Sequence, residues 1–325
     1  MASVDATAGR ADPAQGPVAP SRLRYSPSQH RWLAFKYQLH TEVTAWLFLL
    51  PFFIFFVVFL AIPVVEVFWW SFQSGSLTSP AQFVGFDNYL KLGGQVQAAA
   101  AIENTFLFAL MSIPAELVFG MAIAMLLARV HRGGALYRFF IYFPSLVPGV
   151  VSGLIWVFLT NPDFGLFNTI LGLFGLDPVV WLGDTFALPT LAGVDVWMNS
   201  GFWAIFFLAA IIGLPRDLNE AAEVDGATTW QRIRRIILPQ LLRVILYAVV
   251  VATIFGLQVF DTVVVMTNGG PGTSTLTVVF VVWTYIFGTT GQVGYGATIS
   301  VILLLGILVL TLIELRALRD RREGD

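Results

Sequence analysis

Five polar residues stand inside otherwise apolar stretches: Glu116, Asp195, Asn199, Gln258 and Asp261. Placing an ionisable side chain in hydrocarbon costs about 2.5–3.5 kcal/mol, so such a group faces a cavity or the protein interior. Glu116 follows Pro114, whose missing N–H frees backbone groups that a neighbour could satisfy. Asp195 and Asn199 stand one turn apart with Trp197 between them, and the spacing of Gln258 and Asp261 predicts one helical face. A hydroxyl-rich ligand is held by amides and carboxylates beside an aromatic ring. Asn199, Gln258 and Asp261, with Trp197 or Tyr285, are therefore candidates for lining a path, and Glu116 is a further one. The same groups can instead hydrogen-bond one helix to another within a bundle.

A second constellation lies in the segment 214–241, LPRDLNEAAEVDGATTWQRIRRIILPQL. Asp217 followed by Glu220 reads as an N-cap pair, and Thr228 followed by Gln231 fits a capping box. Two short helices are expected, over 218–225 and 229–237. Gly226 between them is free to take positive φ and turn the chain sharply. Ala221 and Ala222 give the first helix a smooth surface; Ile233, Ile236 and Ile237 give the second an apolar stripe opposite Arg232 and Arg235. Pro239 is expected to break the chain before the next helix. Such a helix–Gly–helix suits docking of a soluble partner.

Several chemistries are excluded. With no cysteine there is no disulfide, thiolate metal site or cysteine nucleophile. The three histidines, His30, His40 and His131, lie in basic flanks, so no metal cluster is expected. A phosphate-binding Gly-x4-Gly-Lys-Ser/Thr loop needs a lysine that neither Lys36 nor Lys91 supplies. No cofactor is expected on this chain, nor does any nucleophile–base pair at membrane depth suggest an enzyme.

The elements that must position these residues follow from composition. Of 325 residues 57% are hydrophobic and 12% charged, against about 25% charged in soluble domains, and the mean hydropathy is +0.78. The chain cannot cover a soluble surface, and a bilayer-embedded protein remains. Six stretches suit spans of about 20 residues: 43–65, 105–127, 139–162, 196–215, 244–266 and 295–313. The apolar run 276–287 is too short to span and reads as an external or re-entrant helix. With an interior N-terminus, 17 of the 18 Lys and Arg fall inside and only Lys91 falls outside. Trp69, Trp70, Trp181 and Trp283 lie near the outer boundary as interfacial anchors. Residues 1–40 read as a largely disordered cytoplasmic tail without a signal peptide, 41–318 as the six-span domain and 319–325 as a cytoplasmic tail.

Together these residues carry a resemblance. Glu220-Ala221-Ala222, Gly226, Ile236 and Leu238-Pro239 match the EAA signature of ABC-importer permeases at every fixed position, and Asp225-Gly226-Ala227 has the usual family form. Asn104-Thr105, Phe143-Pro144 with Pro148, Gly165 to Asn168, Thr267 to Gly272 with Thr275, and Gly294-Tyr295-Gly296-Ala297 resemble the carbohydrate (maltose/glycerol-phosphate-type) branch. The resemblance covers about 45–318. It implies an all-α polytopic membrane protein of the type I importer-permease kind, in a prokaryotic inner membrane with both termini cytoplasmic. It implies a heterodimer with a second permease subunit, two ATPase subunits that bind ATP and Mg, and an external solute-binding protein. Glu220, Ala221, Ala222, Asp225, Gly226 and Arg232 would couple the loop to an ATPase, and the solute would be a sugar or related polyhydroxy compound. The bilayer is a further partner; nucleic acid is not. Setting the signature aside leaves an ion-coupled secondary transporter, with Glu116 or Asp261 as ion carrier.

Overall fold

The structure, a computed structural model, describes residues 43–76, 79–130, 132–288 and 291–320. The expected tail 1–40 and the three histidines lie outside them. Contacts divide the chain into two units, 1–63 and 64–325. In the first unit the described residues are helical and apolar, the beginning of helix α1 (Val43–Ser71).

The second unit continues with a two-stranded hairpin, β1 (Gln73–Ser74) and β2 (Gln82–Phe83), paired antiparallel with Gln73 opposite Phe83. Helices follow in the order α2 (Asp87–Leu92), α3 (Val96–Leu127), α4 (Gly134–Leu146), α5 (Gly149–Leu159), α6 (Leu166–Leu173) and α7 (Ala187–Ile212). The chain then makes α8 (Arg216–Val224), α9 (Thr229–Gly256), α10 (Asp261–Met266), α11 (Val278–Phe287) and α12 (Val293–Asp320). Five helices, α1, α3, α7, α9 and α12, are long and apolar enough to cross a membrane.

The third expected span differs from expectation. Residues 139–162 are not one straight helix: α4 and α5 meet at 95°. The cause is Pro148, which lacks an N–H and forces the residue before it out of helical conformation. Val147 is accordingly extended, with φ −81° and ψ 126°. The expected fifth span is also interrupted. α9 stops at Gly256, and α10 starts afresh at Asp261, so Gln258 and Asp261 do not share a helical face. Pro114, by contrast, does not break α3, which continues through it.

The core is the contact of α3 with α7. On α3, Ala101, Thr105, Phe108, Ser112, Glu116, Gly120, Ala124 and Leu127 are buried, the three-and-four spacing of one helical face. Small residues let the backbones approach, as in other membrane bundles. A Cβ on Gly120 would lie 2.6 Å from Trp203 Cβ, and one on Gly201 would strike the Ile141 carbonyl of α4. Gly294 meets the Gln73 carbonyl and Gly296 meets Ile286 in the same way.

Polar residues tie the connecting segments down. Asn104 Nδ2 donates to the carbonyls of Thr273 at 2.7 Å and Leu276 at 3.0 Å. Thr105 Oγ1 accepts the Val278 N–H at 2.9 Å. Thr275 Oγ1 bonds Thr267 Oγ1 and the Gly270 carbonyl. Asn168 holds the loop before α7 through the backbone of Val179 and the Trp181 Nε1–H.

Replacing Gly201 by Ala presses a Cβ onto backbone that cannot yield. Overpacking of this kind costs about 1–3 kcal/mol, and the melting temperature of the detergent-solubilised chain is expected to fall. Gly193→Ala, where a Cβ meets nothing, is the control and is expected not to lower it. A Gly201→Ala protein that melts with the wild type would show that α4 and α7 do not meet in this way.

Candidate functional site

The segment 214–241 folds as helix, glycine turn, helix. α8 starts after Pro215, and no side chain caps it, so the expected Asp217–Glu220 cap is not formed; Asp217 lies in the first turn. α8 ends in two bonds. The Ala227 N–H reaches the Ala222 carbonyl at 2.9 Å, and the Gly226 N–H reaches the Glu223 carbonyl at 3.1 Å. This six-to-one and five-to-two pair is a Schellman ending, which requires a left-handed residue. Gly226 supplies it with φ +76°.

Thr228 then opens α9 with the expected capping box. Gln231 N–H donates to Thr228 Oγ1, and Thr228 N–H donates to Gln231 Oε1. Pro239 does not end the helix. A π-turn over Ile233–Ile237, closed by the Leu238 N–H on the Ile233 carbonyl, widens the helix just before the proline. The wider turn accommodates a ring that has no N–H to donate, so α9 runs unbroken from Thr229 to Gly256.

An ion pair spans the glycine turn. Arg232 Nη1 lies 3.2 Å from Glu223 Oε2. Glu223 is 70% exposed, so the pair sets geometry more than stability. Glu220, Ala221, Asp225 and Gly226 are exposed and Ala222 half-buried. Val224 and Trp230 offer exposed apolar surface at 88% and 66%. Behind the turn is a groove of about 620 Å³ lined by Arg129, Leu214, Glu220, Glu223, Arg232 and Ile237.

The polar residues inside the spans fall into two places. Glu116 is buried, and its Oε1 accepts the Trp203 Nε1–H of α7 at 3.2 Å. Asp195 Oδ1 accepts from Asn199 Nδ2 at 2.9 Å. Asp261 lies elsewhere, over the first turn of α5: a Cβ on Gly149 would be 2.8 Å from its Oδ2. A carboxylate there suits the positive end of the helix. Gln258 is exposed in the break before α10. Trp197 packs edge-on against Trp156, and Tyr285 against Tyr295. The segments carrying these residues share one apolar cluster with Val194, Met198, Val259, Phe260 and Trp156. The side chains of Asn199, Gln258 and Asp261 make no hydrogen bond with one another among the described residues.

The model for the binding-protein-dependent transport system inner membrane component family matches residues 116–322. The chain belongs to that family. The permease is 33% identical over 280 residues to the trehalose/maltose transport system permease protein MalF of Thermococcus litoralis, covering 86% of this chain and 94% of that one. It is 35% identical over 263 residues to the diacetylchitobiose uptake system permease protein NgcF of Streptomyces coelicolor, covering 76% and 74%. Its fold matches the crystal structure of a bacterial ABC transporter involved in the import of alginate, with a TM-score of 0.78 at 24% identity, covering 88% and 99%. The permease is thus a multi-pass inner-membrane protein of the type I importer fold.

Sequence reasoning missed two residues. Ser145 Oγ donates to the Met198 carbonyl at 2.6 Å and accepts the Phe202 N–H at 3.1 Å. These are an i and i+4 pair on the backbone of α7, which stays helical through this point. The nearby Phe143-Pro144 was a signal for this position. Trp203 carried none, because one indole among many aromatics gives no hint of its partner.

Thr228→Ala removes half of the capping box, worth about 1 kcal/mol. Amides over 229–232 are expected to exchange about fivefold faster with deuterium, while those of α3 and α7 do not change. Unchanged exchange over 229–232 would mean that the box does not hold the start of α9.

Proposed function

We propose that the permease is the membrane-spanning subunit of a binding-protein-dependent ABC importer for a sugar or a related polyhydroxy solute. It pairs with a second permease subunit. Two ATPase subunits bind ATP and Mg and drive alternating access, and an external solute-binding protein delivers the solute. Both termini lie in the cytoplasm, as the distribution of Lys and Arg supports. The loop 214–241 seats in an ATPase subunit through Glu220, Ala221, Ala222, Asp225, Gly226 and Arg232.

The observation that carries the reading is the junction of this loop with α9. Its exposed turn is fixed by a Schellman ending, a capping box and an ion pair, and it joins a membrane helix without an intervening linker. An ion-coupled transporter has no need of such a knob. A sugar is supported by what the relatives' names say they carry: trehalose or maltose, and diacetylchitobiose. A neutral solute is supported by the absence of Lys and Arg from 92–128, 139–215 and 244–315. Asn199, Trp197, Gln258 and Asp261 border the path in this reading.

Proline cannot take the φ of +76° held by Gly226. Wild-type permease purified from its native membrane in mild detergent is expected to bring down a second permease and an ATPase, both identified by mass spectrometry. Gly226→Pro is expected to keep the second permease, lose the ATPase and lose uptake of radiolabelled sugar. A permease that purifies alone, with uptake intact in Gly226→Pro, would overturn the reading in favour of ion coupling through Glu116 or Asp261.

A further inference from the structure

The chain itself, and not water, finishes the end of α1. A helix leaves its last carbonyls without partners. Here Ser71 Oγ donates back to the Phe68 carbonyl at 2.7 Å and takes the Tyr89 O–H at 2.7 Å. Asn88 of α2 is buried, and its Nδ2 donates to the Ser71 carbonyl at 3.0 Å and to the Gln73 carbonyl at 2.8 Å. The Phe72 carbonyl between them accepts the Val84 N–H at 2.9 Å. Backbone satisfied from within suits a place where water is scarce. The same segment is tied to α12, since Thr298 Oγ1 lies 3.0 Å from the Ser71 carbonyl and the Val293 N–H reaches the Gly75 carbonyl.

The side turned away from these bonds is apolar and uncovered. Phe83, Phe86 and Leu90 are 69%, 68% and 77% exposed. Trp69 of α1 stacks on Phe83 at 6.2 Å, and Phe72 meets Phe86 edge-on at 5.3 Å. With Val65 and Phe68 these rings border a shallow cleft of about 460 Å³. The apolar surface is thus continuous with the last turns of a membrane-spanning helix.

Around α2 the residues sort into three flanks. Asn88 and Leu92 occupy the inward side. Phe86, just before the helix, and Leu90 stand four apart and share one exposed flank; Asp87 and Lys91, also four apart, share the next. A protein partner would have to answer both exposed flanks. A membrane boundary changes from hydrocarbon to water over the same step, and amphipathic segments lie along it for that reason.

We infer that residues 79–92 lie in the membrane–water interface at the end of α1 and bind phospholipid. Phe83, Phe86 and Leu90 sit among the acyl chains, and the cleft beside Trp69 takes part of one chain. Lys91 faces the lipid phosphates, with Asp87 in water beside it. The stretch between the first two spans is therefore not a loop in water. Because it is bonded to the first turns of α12, this anchor sets the depth at which α12 enters the membrane. It does not depend on which solute the permease carries.

The chain has no cysteine, so single substitutions place a nitroxide spin label at one site of the permease. Phe86→Cys, Leu90→Cys, Asp87→Cys and Lys91→Cys are labelled in the full-length permease, in the complex with which it purifies. The complex is held in nanodiscs of phosphatidylethanolamine and phosphatidylglycerol, and wild-type complex carried through the labelling gives the background. Paramagnetic resonance then compares collision with oxygen, which dissolves in acyl chains, and with a water-soluble nickel chelate. The ratio of oxygen to nickel accessibility is expected to be severalfold higher at 86 and 90 than at 87 and 91. If either apolar variant does not assemble, Phe83→Cys reports on the same flank. Labels at 86 and 90 that meet nickel as freely as those at 87 and 91 would place the segment in water and overturn the inference. Labels at 86 and 90 shielded from both reagents would show a protein surface covering the flank and overturn it equally.

Discussion

Hydrocarbon offers a backbone amide no partner, and every irregularity of this fold is arranged around that fact. A helix that stays regular satisfies itself, so a break is tolerated only where something else supplies the bond. Where α9 gives way to α10, Thr277 Oγ1 reaches the Val259 carbonyl. Where the chain re-enters α11, Thr105 accepts the first N–H and Asn104 donates to two loop carbonyls. Ahead of Pro239 the helix does not break at all but widens by one residue. The short polar residues of the family-like motifs are in this sense repairs to backbone, which explains their position at the ends of spans.

Close approach is the second constraint. Lipid tails are as apolar as leucine, so helices gain little by hiding apolar surface from them and associate where backbones can touch. Glycine at 120, 201, 294 and 296 permits that contact. Trp203 uses the space given up by Gly120 to bring its N–H to Glu116. A small residue on one helix and a large polar aromatic on the next thus bury an acid that neither could bury alone.

What the sequence made legible was local or additive. The spans follow from summed hydropathy, and the capping box at Thr228 and the turn at Gly226 follow from a few adjacent residues. The bend between α4 and α5 was not legible in the same terms, because apolar content reports depth and not direction. A run passing through Pro144 and Pro148 is equally apolar straight or folded through 95°. Gln258 and Asp261 were misplaced for the same reason, since three-residue spacing implies a shared face only if the helix is continuous. Pro239 misled in the opposite sense: proline removes one bond, and a π-turn absorbs the loss. The pairing of Glu116 with Trp203, and Ser145 between Met198 and Phe202, depend on helices distant in sequence, and no periodicity encodes them.

α9 extends over 28 residues, a length of about 42 Å at the usual helical rise. Its first turn is part of the exposed knob and its last turn abuts the break that leads to Asp261. Nothing along that length can slacken as a loop would. An axial displacement at Thr229 would be carried to Gly256 by one continuous helix, because the widened turn at 233–237 stays hydrogen-bonded.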